Sequence, residues 1–260
     1  MEGRKIIEIL EAQSPPSYAC DWDNVGLLAG NIDREIHKIY IALDATDEAV
    51  EEAVNLGADM ILTHHPLIFK GIRRVVADDF IGRRLIRLIQ NDIAYYAMHT
   101  NFDVKGMAEL SAAMLGLESP RVLDVMEVSL DKEEGIGRIG RFKNPMELKS
   151  CADFVKTVFS LEQVKVFGDP KKELCVAAIS PGSGKSEIGN AIAKGADVLI
   201  TGDIDHHEGI DAVARGLCII DAGHYGLEHI FIRYMKEYLE KSCEGVEIAA
   251  QQITFPFWVV

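Results

Sequence analysis

The sequence has few cysteines, no long apolar run and no excess of positive charge. Its 5 cysteines include no CxxC pair, so neither a disulfide framework nor a cysteine zinc site is indicated, and a reducing cytoplasm is the expected location. Apolar runs such as Met60–Leu62 and Cys175–Ile179 are too short to cross a membrane. Met1–Leu10 is short and charged, which predicts an amphipathic helix rather than a signal peptide.

Basic residues are outnumbered by acidic ones. The chain has 27 Lys and Arg against 41 Asp and Glu, a formal net charge of −14. Proteins that bind nucleic acid electrostatically usually carry a basic surface, and no Lys/Arg-rich run is present here. The charge therefore argues against a nucleic-acid partner, and the apolar pattern argues against a membrane partner.

Apolar segments of strand length alternate with amphipathic helical segments almost throughout. This order predicts an α/β protein with a largely parallel sheet. The alternation weakens from Glu118 to Asn144, where charge and glycine accumulate. We expect a first α/β half at residues 1–125, a joint at 126–150 and a second half at 151–260, with residues 240–260 a candidate to pack on the first half.

The second half repeats the first. Gly57-Ala-Asp-Met-Ile-Leu-Thr63 returns as Gly195-Ala-Asp-Val-Leu-Ile-Thr201, each position 138 residues later (195 − 57). Each copy follows a predicted helix and leads to a histidine pair, His64-His65 or, slightly displaced, His206-His207. The repeat predicts an internal duplication with two similar halves about a pseudo-twofold axis. Corresponding strand ends would then converge on one cleft, since ligands of open α/β sheets bind at the carboxyl ends of strands.

Most histidines lie just after or near the ends of predicted strands. Seven of the 8 do so: His64, His65, His99, His206, His207, His224 and His229. Neutral imidazole is the commonest ligand of borderline cations such as Zn, Fe or Mn.

Two carboxylates accompany these histidines at a spacing of four residues. Asp103 follows His99, and Glu228 follows His224. On a helix, residues i and i+4 share a face, so His224 and Glu228 can reach the same metal. A carboxylate can also bridge two cations. The sequence predicts a site for two divalent ions (Zn, Fe or Mn) with these ligands: His64, His65, Asp103, His224 and Glu228.

Two glycine-rich segments resemble phosphate-binding loops. Pro181-Gly-Ser-Gly-Lys-Ser186 lacks the first glycine of a P-loop, because that position is Ile179. Its glycines still leave a contact with an anion open. Gly135-Ile-Gly-Arg-Ile-Gly140 satisfies GxGxxG, but acidic residues precede it and Asn144-Pro145 blocks a following helix. A glycine-rich turn beside an extended segment is the better interpretation.

Several motifs occur together and in order. They are Trp22-Asp-Asn-Val-Gly-Leu27, Ala42-Leu-Asp-Ala-Thr46, Thr63-His-His-Pro66, His99-Thr-Asn-Phe-Asp103, Gly137-Arg-Ile-Gly140, Ile200-Thr-Gly-Asp203 and Gly223-His-Tyr-Gly-Leu-Glu228. In these motifs the chain resembles the GTP cyclohydrolase 1 type 2 homologues, also called NIF-three-like proteins. The resemblance runs from about Glu8 to Phe255-Pro-Phe257.

The resemblance implies a duplicated α/β fold with a dinuclear metal site between the halves. It implies that His65 and Asp103 hold one ion, that His64 and His224 hold the other, and that Glu228 bridges them. It also implies a short-form member without an inserted domain, and a homo-oligomer in the form of a hexameric ring.

Two classes of function agree with such a site. The first is a metal-dependent hydrolase acting on a small molecule, either a nucleotide or a phosphoester, with His99 or Asp203 as the proton shuttle. The family name points to opening of the GTP imidazole ring. The alternative is a non-enzymatic regulatory or metal-handling protein. About three ligands per ion leave an open position on each, which favours the hydrolase. A metal used only for folding is a third interpretation.

Overall fold

The computed structural model describes residues 1–129 and 132–260. The chain forms two compact units. Unit 1 is Met1–Phe102 with Phe231–Thr254, and unit 2 is Asp103–Ile230 with Phe255–Val260. Each contains one sheet, so the predicted α/β class is confirmed. Within the described ranges, every helix is too short or too polar to span a membrane.

Unit 1 contains a five-stranded sheet with the order β1-β4-β3-β2-β11. Its strands and helices are α1 (Gly3–Gln13), β1 (Gly26–Ala29), β2 (Lys38–Ala42), α2 (Asp47–Asn55), β3 (Met60–Thr63), α3 (Phe80–Gln90), β4 (Ala94–Ala97), α4 (Thr100–Phe102), α10 (Ile230–Ser242, from its second residue) and β11 (Glu247–Ala250). All neighbouring strands are parallel except β1, which runs antiparallel to β4. Strands β2, β3 and β4 are almost wholly buried, as expected of parallel strands covered on both faces.

Unit 2 contains a six-stranded sheet with the order β5-β6-β8-β9-β10-β7. Its strands and helices are α5 (Ala108–Met114), β5 (Glu118–Ser129), β6 (Lys132–Glu147), α6 (Leu148–Val158), β7 (Lys165–Phe167), β8 (Glu173–Ser183), α7 (Ile188–Ala193), β9 (Val198–Gly202), α8 (His206–Ala214), β10 (Cys218–Asp221) and α9 (His224–Glu228). A π-helical turn at Asp103–Met107 precedes α5. The core of this sheet is the parallel set β8, β9 and β10.

The two sheets share a four-strand arrangement. In unit 1, strands β2, β3 and β4 are parallel, and β1 runs antiparallel beside β4. In unit 2, strands β8, β9 and β10 are parallel, and β7 runs antiparallel beside β10. The registers also correspond. Ile39 pairs with Met60 in unit 1, and Ala177 pairs with Val198 in unit 2, both partners being displaced by the same 138 positions (177 − 39 and 198 − 60). The internal duplication seen in the sequence is therefore also a duplication of topology.

The repeated Gly-Ala-Asp tripeptide connects a helix to the next strand in the same way in both units. Gly57 and Gly195 have φ of 64° and 76°, the left-handed conformation in which helices commonly end. The Asp59 carboxylate then accepts the backbone N–H groups of His37 and Lys38. The Asp197 carboxylate accepts those of Cys175 and Val176 at 2.8 Å each. Each aspartate thus holds the first part of a neighbouring strand, so the repeated residue has the same role in both units.

Asp197→Ala should lower the free energy of unfolding by about 2 kcal/mol, because two backbone donors lose a charged acceptor. Both of these N–H groups reach the same oxygen, Oδ2. Asp197→Asn keeps one acceptor oxygen, so its loss of unfolding free energy should be less than half of the loss in Asp197→Ala. Urea unfolding of the three proteins tests this, and equal losses for the two variants would contradict it.

The segment expected to join two halves instead forms part of the second sheet. Residues 126–150 fall largely within β5, β6 and the start of α6, apart from Leu130 and Asp131, which lie outside the described residues. Strand β6 pairs with both β5 and β8. Its alternation of polar and apolar residues is typical of an antiparallel strand with one exposed face. The composition of such a strand resembles that of a polar connection between domains. The two compact units divide after Phe102, and the segment from Phe231 to Thr254 belongs to unit 1.

The GxGxxG segment also lies inside a strand. Gly135 to Gly140 belong to β6, and a Cβ atom at Gly135 would meet the carbonyl oxygen of Asp124 on the paired strand. The glycines allow close strand pairing, and the segment forms no turn before a helix. A dinucleotide-binding loop is excluded here.

Candidate metal centre

In unit 1, His64 and His65 directly follow the buried strand β3. Their backbone N–H groups both donate to the carbonyl oxygen of Leu43, at 3.2 and 3.0 Å. The hydroxyls of Thr63 and Tyr95 donate to the carbonyl oxygen of His65. These bonds fix the backbone at the strand end, so the positions of both imidazoles are set by the sheet rather than by a mobile loop.

His99 follows β4, the strand next to β3, and joins the same cluster. One ring nitrogen from each of His64, His65 and His99 lies within 4.8 Å of the other two. The His99 ring is 5.4 Å from that of His64 and 5.6 Å from that of His65. This group of three could hold a metal ion.

Each of these rings is oriented by an oxygen acceptor at Nδ1. The acceptor is the Met98 carbonyl for His64 at 2.7 Å, an Asp44 carboxylate oxygen for His65 at 2.7 Å, and an Asp23 carboxylate oxygen for His99 at 2.9 Å. Since a carbonyl or carboxylate oxygen only accepts, Nδ1 carries the proton, and Nε2 is the nitrogen with the lone pair in the neutral ring. Histidines that bind metals are typically held in this way.

Asp23 connects His99 to the rest of the unit. Its side chain is 0% exposed and also accepts the N–H and hydroxyl of Thr100. Burial raises the pKa of Asp23, but the hydrogen bonds from His99 and Thr100 outweigh it and hold the pKa at about 2. The carboxylate therefore stays ionised and keeps the His99 ring in place.

In unit 2, His224 and Glu228 are the first and last residues of α9. As their spacing predicts, they share one face of the helix: His224 Nε2 is 3.0 Å from Glu228 Oε2. Two ligand atoms bound to one ion at about 2.1 Å lie about 3 Å apart when adjacent. The Nδ1 atom of His224 lies 2.7 Å from Asp203 Oδ2, so this ring is oriented in the same way as those of unit 1.

Asp103 and Glu228 bring two carboxylates together in unit 2. An oxygen of each lies within 4.8 Å of the other, although Glu228 is only 3% exposed. Asp103 is the first residue of the π-helical turn, a distortion that is frequent at functional sites. Two carboxylates this close repel each other unless a cation or a proton lies between them.

Gly182 lies directly against the Glu228 carboxylate. A Cβ atom built on Gly182 would be 2.4 Å from Glu228 Oε1 and 3.7 Å from His224 Nε2, and its φ is 77°. A Cβ atom built on Gly184 would be closer still to a side chain, at 1.9 Å from Thr201 Oγ1. The glycines of Pro181-Gly-Ser-Gly-Lys-Ser186 therefore allow the backbone to approach β9 and α9. Neither glycine acts here as part of a P-loop.

The remaining histidines have other surroundings. His206 and His207 begin α8 and are both exposed. His229 is buried, its Nε2 is 2.9 Å from the Phe159 carbonyl oxygen, and burial lowers its pKa. His37 is exposed beside Glu35. None of these four belongs to a group of metal-ligating side chains found among the described residues.

Sequence reasoning missed Asp23, Asp44 and Gly182 as contributors. Two of them lie inside segments that carry the family resemblance, Trp22-Asp-Asn and Ala42-Leu-Asp, and Gly182 lies in the apparent phosphate loop. Their partners are 76, 21 and 46 positions away, respectively. No local spacing rule links residues at such separations.

The fold and these groups define a duplicated α/β protein whose clustered histidines and carboxylates could hold a metal ion. The chain belongs to the family described as Duf34/NIF3 (NGG1p interacting factor 3), which it matches over residues 1–256.

Known relatives cover almost the whole chain. It is 36% identical over 261 residues to a Clostridium perfringens protein named GTP cyclohydrolase 1 type 2 homolog, covering 99% of both chains. Two solved structures are similar throughout. A Bacillus cereus protein related to NIF3 has a TM-score of 0.91 and 26% identity, and the match covers 100% of this chain and 99% of that one. A Staphylococcus aureus hypothetical protein has a TM-score of 0.89 and 30% identity with the same coverage.

Proposed function

We propose that this protein binds two divalent metal ions and hydrolyses a nucleotide or another phosphoester. The observation that carries the proposal is the common orientation of His64, His65 and His224, each held at Nδ1 by an oxygen acceptor. The family resemblance adds Asp103 and Glu228 to these ligands, which gives three imidazoles and two carboxylates in all. Such a set suits Zn, Fe or Mn.

The assignment of ligands follows the family resemblance. On that basis His65 and Asp103 would hold one ion, His64 and His224 would hold the other, and Glu228 would serve both. When bound, such ions supply a water that ionises near neutral pH and polarise an oxygen of the substrate. The name of the Clostridium perfringens relative supports a nucleotide as the substrate.

The side chains beside the ligands have different roles in this proposal. His99, held by Asp23 and in contact with the rings of His64 and His65, transfers a proton to or from the reacting groups. Asp203 bonds to His224 on the nitrogen opposite Glu228. We therefore propose that Asp203 orients His224, rather than serving as the proton shuttle. The cytoplasmic location and the hexameric ring stay predictions.

Metal analysis and turnover test the proposal together. Protein purified without chelator should contain about two divalent ions per chain and should hydrolyse GTP or a phosphoester from a panel of simple substrates. His65→Ala should lose metal and turnover, while His207→Ala, which changes an exposed histidine of α8, should change neither.

If metal-loaded protein turns over none of these substrates and His65→Ala behaves identically, the proposal is wrong. Metal binding without turnover would favour the metal-handling alternative, and unfolding by chelator would favour a folding-only metal.

Asp203→Ala should weaken metal affinity about 10- to 100-fold, because it removes the acceptor that orients His224. Competition with a calibrated chelator measures the affinity. The matched control is Asp211→Ala, which removes an exposed carboxylate from α8. Asp203→Asn keeps an acceptor oxygen and should recover most of the affinity. If Asp203→Asn keeps the metal but loses turnover, Asp203 is a proton-transfer group instead.

A further inference from the structure

Two large aromatic rings beside the histidine cluster of unit 1 are exposed. Trp22 is 59% exposed and Phe69 is 44% exposed, and their ring centroids are 5.6 Å apart. Both rings also contact His99, with centroids at 6.0 and 5.9 Å. Contiguous exposed apolar groups mark binding sites more often than isolated ones. The metal proposal makes no use of these two rings.

The segments that carry both rings are tied to the fold. Asn24 donates its side-chain N–H to the carbonyl oxygen of Ile68, the residue before Phe69. Asp23, the residue after Trp22, is buried against His99 and Thr100. The backbone N–H of Leu67 donates to the Tyr95 hydroxyl on β4. The rings are thus presented on a prearranged frame, which reduces the entropy lost on binding.

The loop after Phe69 carries three exposed cations. Lys70, Arg73 and Arg74 make no ion pair with any residue in the described parts of the chain, although the protein has a net charge of −14. Most other arginines of unit 1 are paired, for example Arg83 with Asp47 and Arg87 with Glu51. These three cations follow Phe69 within five positions. Aromatic rings and cations together suit a nucleotide, since bases stack on the rings and phosphates attract the cations.

We propose that Trp22 and Phe69 bind the planar base of a nucleotide, and that Lys70, Arg73 and Arg74 bind its phosphate. The inference rests on the proposed function, because it orients the substrate toward His64, His65 and His99. It goes further by selecting a nucleotide over a phosphoester that lacks an aromatic ring. It also assigns binding roles to five residues outside the ligand set.

Tryptophan fluorescence gives a direct test. The chain has 2 tryptophans, so Trp258→Phe leaves Trp22 as the single reporter in the full-length, metal-loaded protein. Guanosine 5′-monophosphate should quench this fluorescence saturably, and ribose 5-phosphate, which has no base, should not. Phe69→Ala in the same background should weaken nucleotide binding about tenfold, given the usual contribution of one stacked base. Phe69→Tyr should restore it.

Two matched variants separate the ring contact from the charge contact. Phe257→Ala changes an exposed phenylalanine of unit 2 and should leave nucleotide binding unchanged. The triple variant with alanine at Lys70, Arg73 and Arg74 should weaken binding of the nucleotide at least tenfold, but should bind guanosine as the parent does. Lys5→Ala, an exposed lysine of α1, controls for the loss of a positive charge.

The outcomes distinguish this inference from the proposed function. Turnover of a simple phosphoester with no quenching by the nucleotide would overturn the base-binding role and leave the hydrolase intact. Nucleotide binding by equilibrium dialysis that Phe69→Ala leaves unchanged would also overturn it. Saturable, Phe69-dependent quenching in a protein without metal or turnover would uphold the binding site and reject the hydrolase.

Discussion

Glu228→Gln should remove most of the bound metal and lower turnover by about 10³-fold or more. Glu228 is buried at the end of α9, 3.0 Å from His224 Nε2 and within 4.8 Å of an Asp103 oxygen. Glutamine has nearly the same volume, so packing is kept while the negative charge that would offset two cations is lost. Metal ions supply several kcal/mol of transition-state stabilisation, and each 1.36 kcal/mol is a tenfold change in rate.

Glu187→Gln is the matched control for this variant. Glu187 is also a buried carboxylate of unit 2, at 4% exposed, but its hydrogen bonds come from Ser186 and Asn190. Burial raises the pKa of Glu187, so a neutral glutamine suits its surroundings. Elemental analysis and steady-state kinetics should show normal metal content and turnover for Glu187→Gln. Equal metal content in the two variants would remove Glu228 from the ligand set.

Gly182→Ala should reduce turnover about 100-fold, although the substitution replaces none of the proposed metal ligands. The new Cβ would lie 2.4 Å from Glu228 Oε1, so the carboxylate must move, and a misplacement of about 1 Å can cost this much. The substitution also places alanine at a φ of 77°, which should lower the free energy of unfolding by about 1–2 kcal/mol. Metal titration and kinetics on the folded fraction measure the first effect, and urea unfolding measures the second.

Gly195→Ala separates these two effects. Gly195 has a φ of 76°, close to that of Gly182, but a Cβ atom there would meet nothing within 4 Å. It should therefore show the same loss of stability with normal metal binding and turnover. If both glycine variants lose turnover equally, backbone strain rather than contact with Glu228 is responsible.

Local spacing was enough to predict part of the site. The separation of four residues between His224 and Glu228 predicted a shared helix face, and the two side chains are in contact on α9. Histidines following β3 and β4 were expected together because parallel strand ends meet at one edge of a sheet, and the His64, His65 and His99 rings do cluster. In both cases the distances are set by regular secondary structure, whose periodicity the sequence displays.

Where long-range contacts decide a role, the sequence was less informative. Asp203 was a candidate proton shuttle, and its carboxylate lies 2.7 Å from Nδ1 of His224, a contact that no local spacing predicted. The polar stretch around β5 and β6 was interpreted as a joint, because an antiparallel hairpin with one exposed face has the composition of a connection. Which face of such a strand is exposed to solvent depends on the strands and helices that pack against it.

The sequence by itself determined the alternating α/β order and the 138-residue repeat, and it supplied the residues proposed as metal ligands. These follow from side-chain chemistry and from periodicities of a few residues. Only the tertiary structure decided that Asp23 and Asp44 orient His99 and His65, and that Gly182 approaches the Glu228 carboxylate. Each of those contacts joins segments that are far apart in the chain. Their proximity is a property of strand order and packing, which no local pattern encodes.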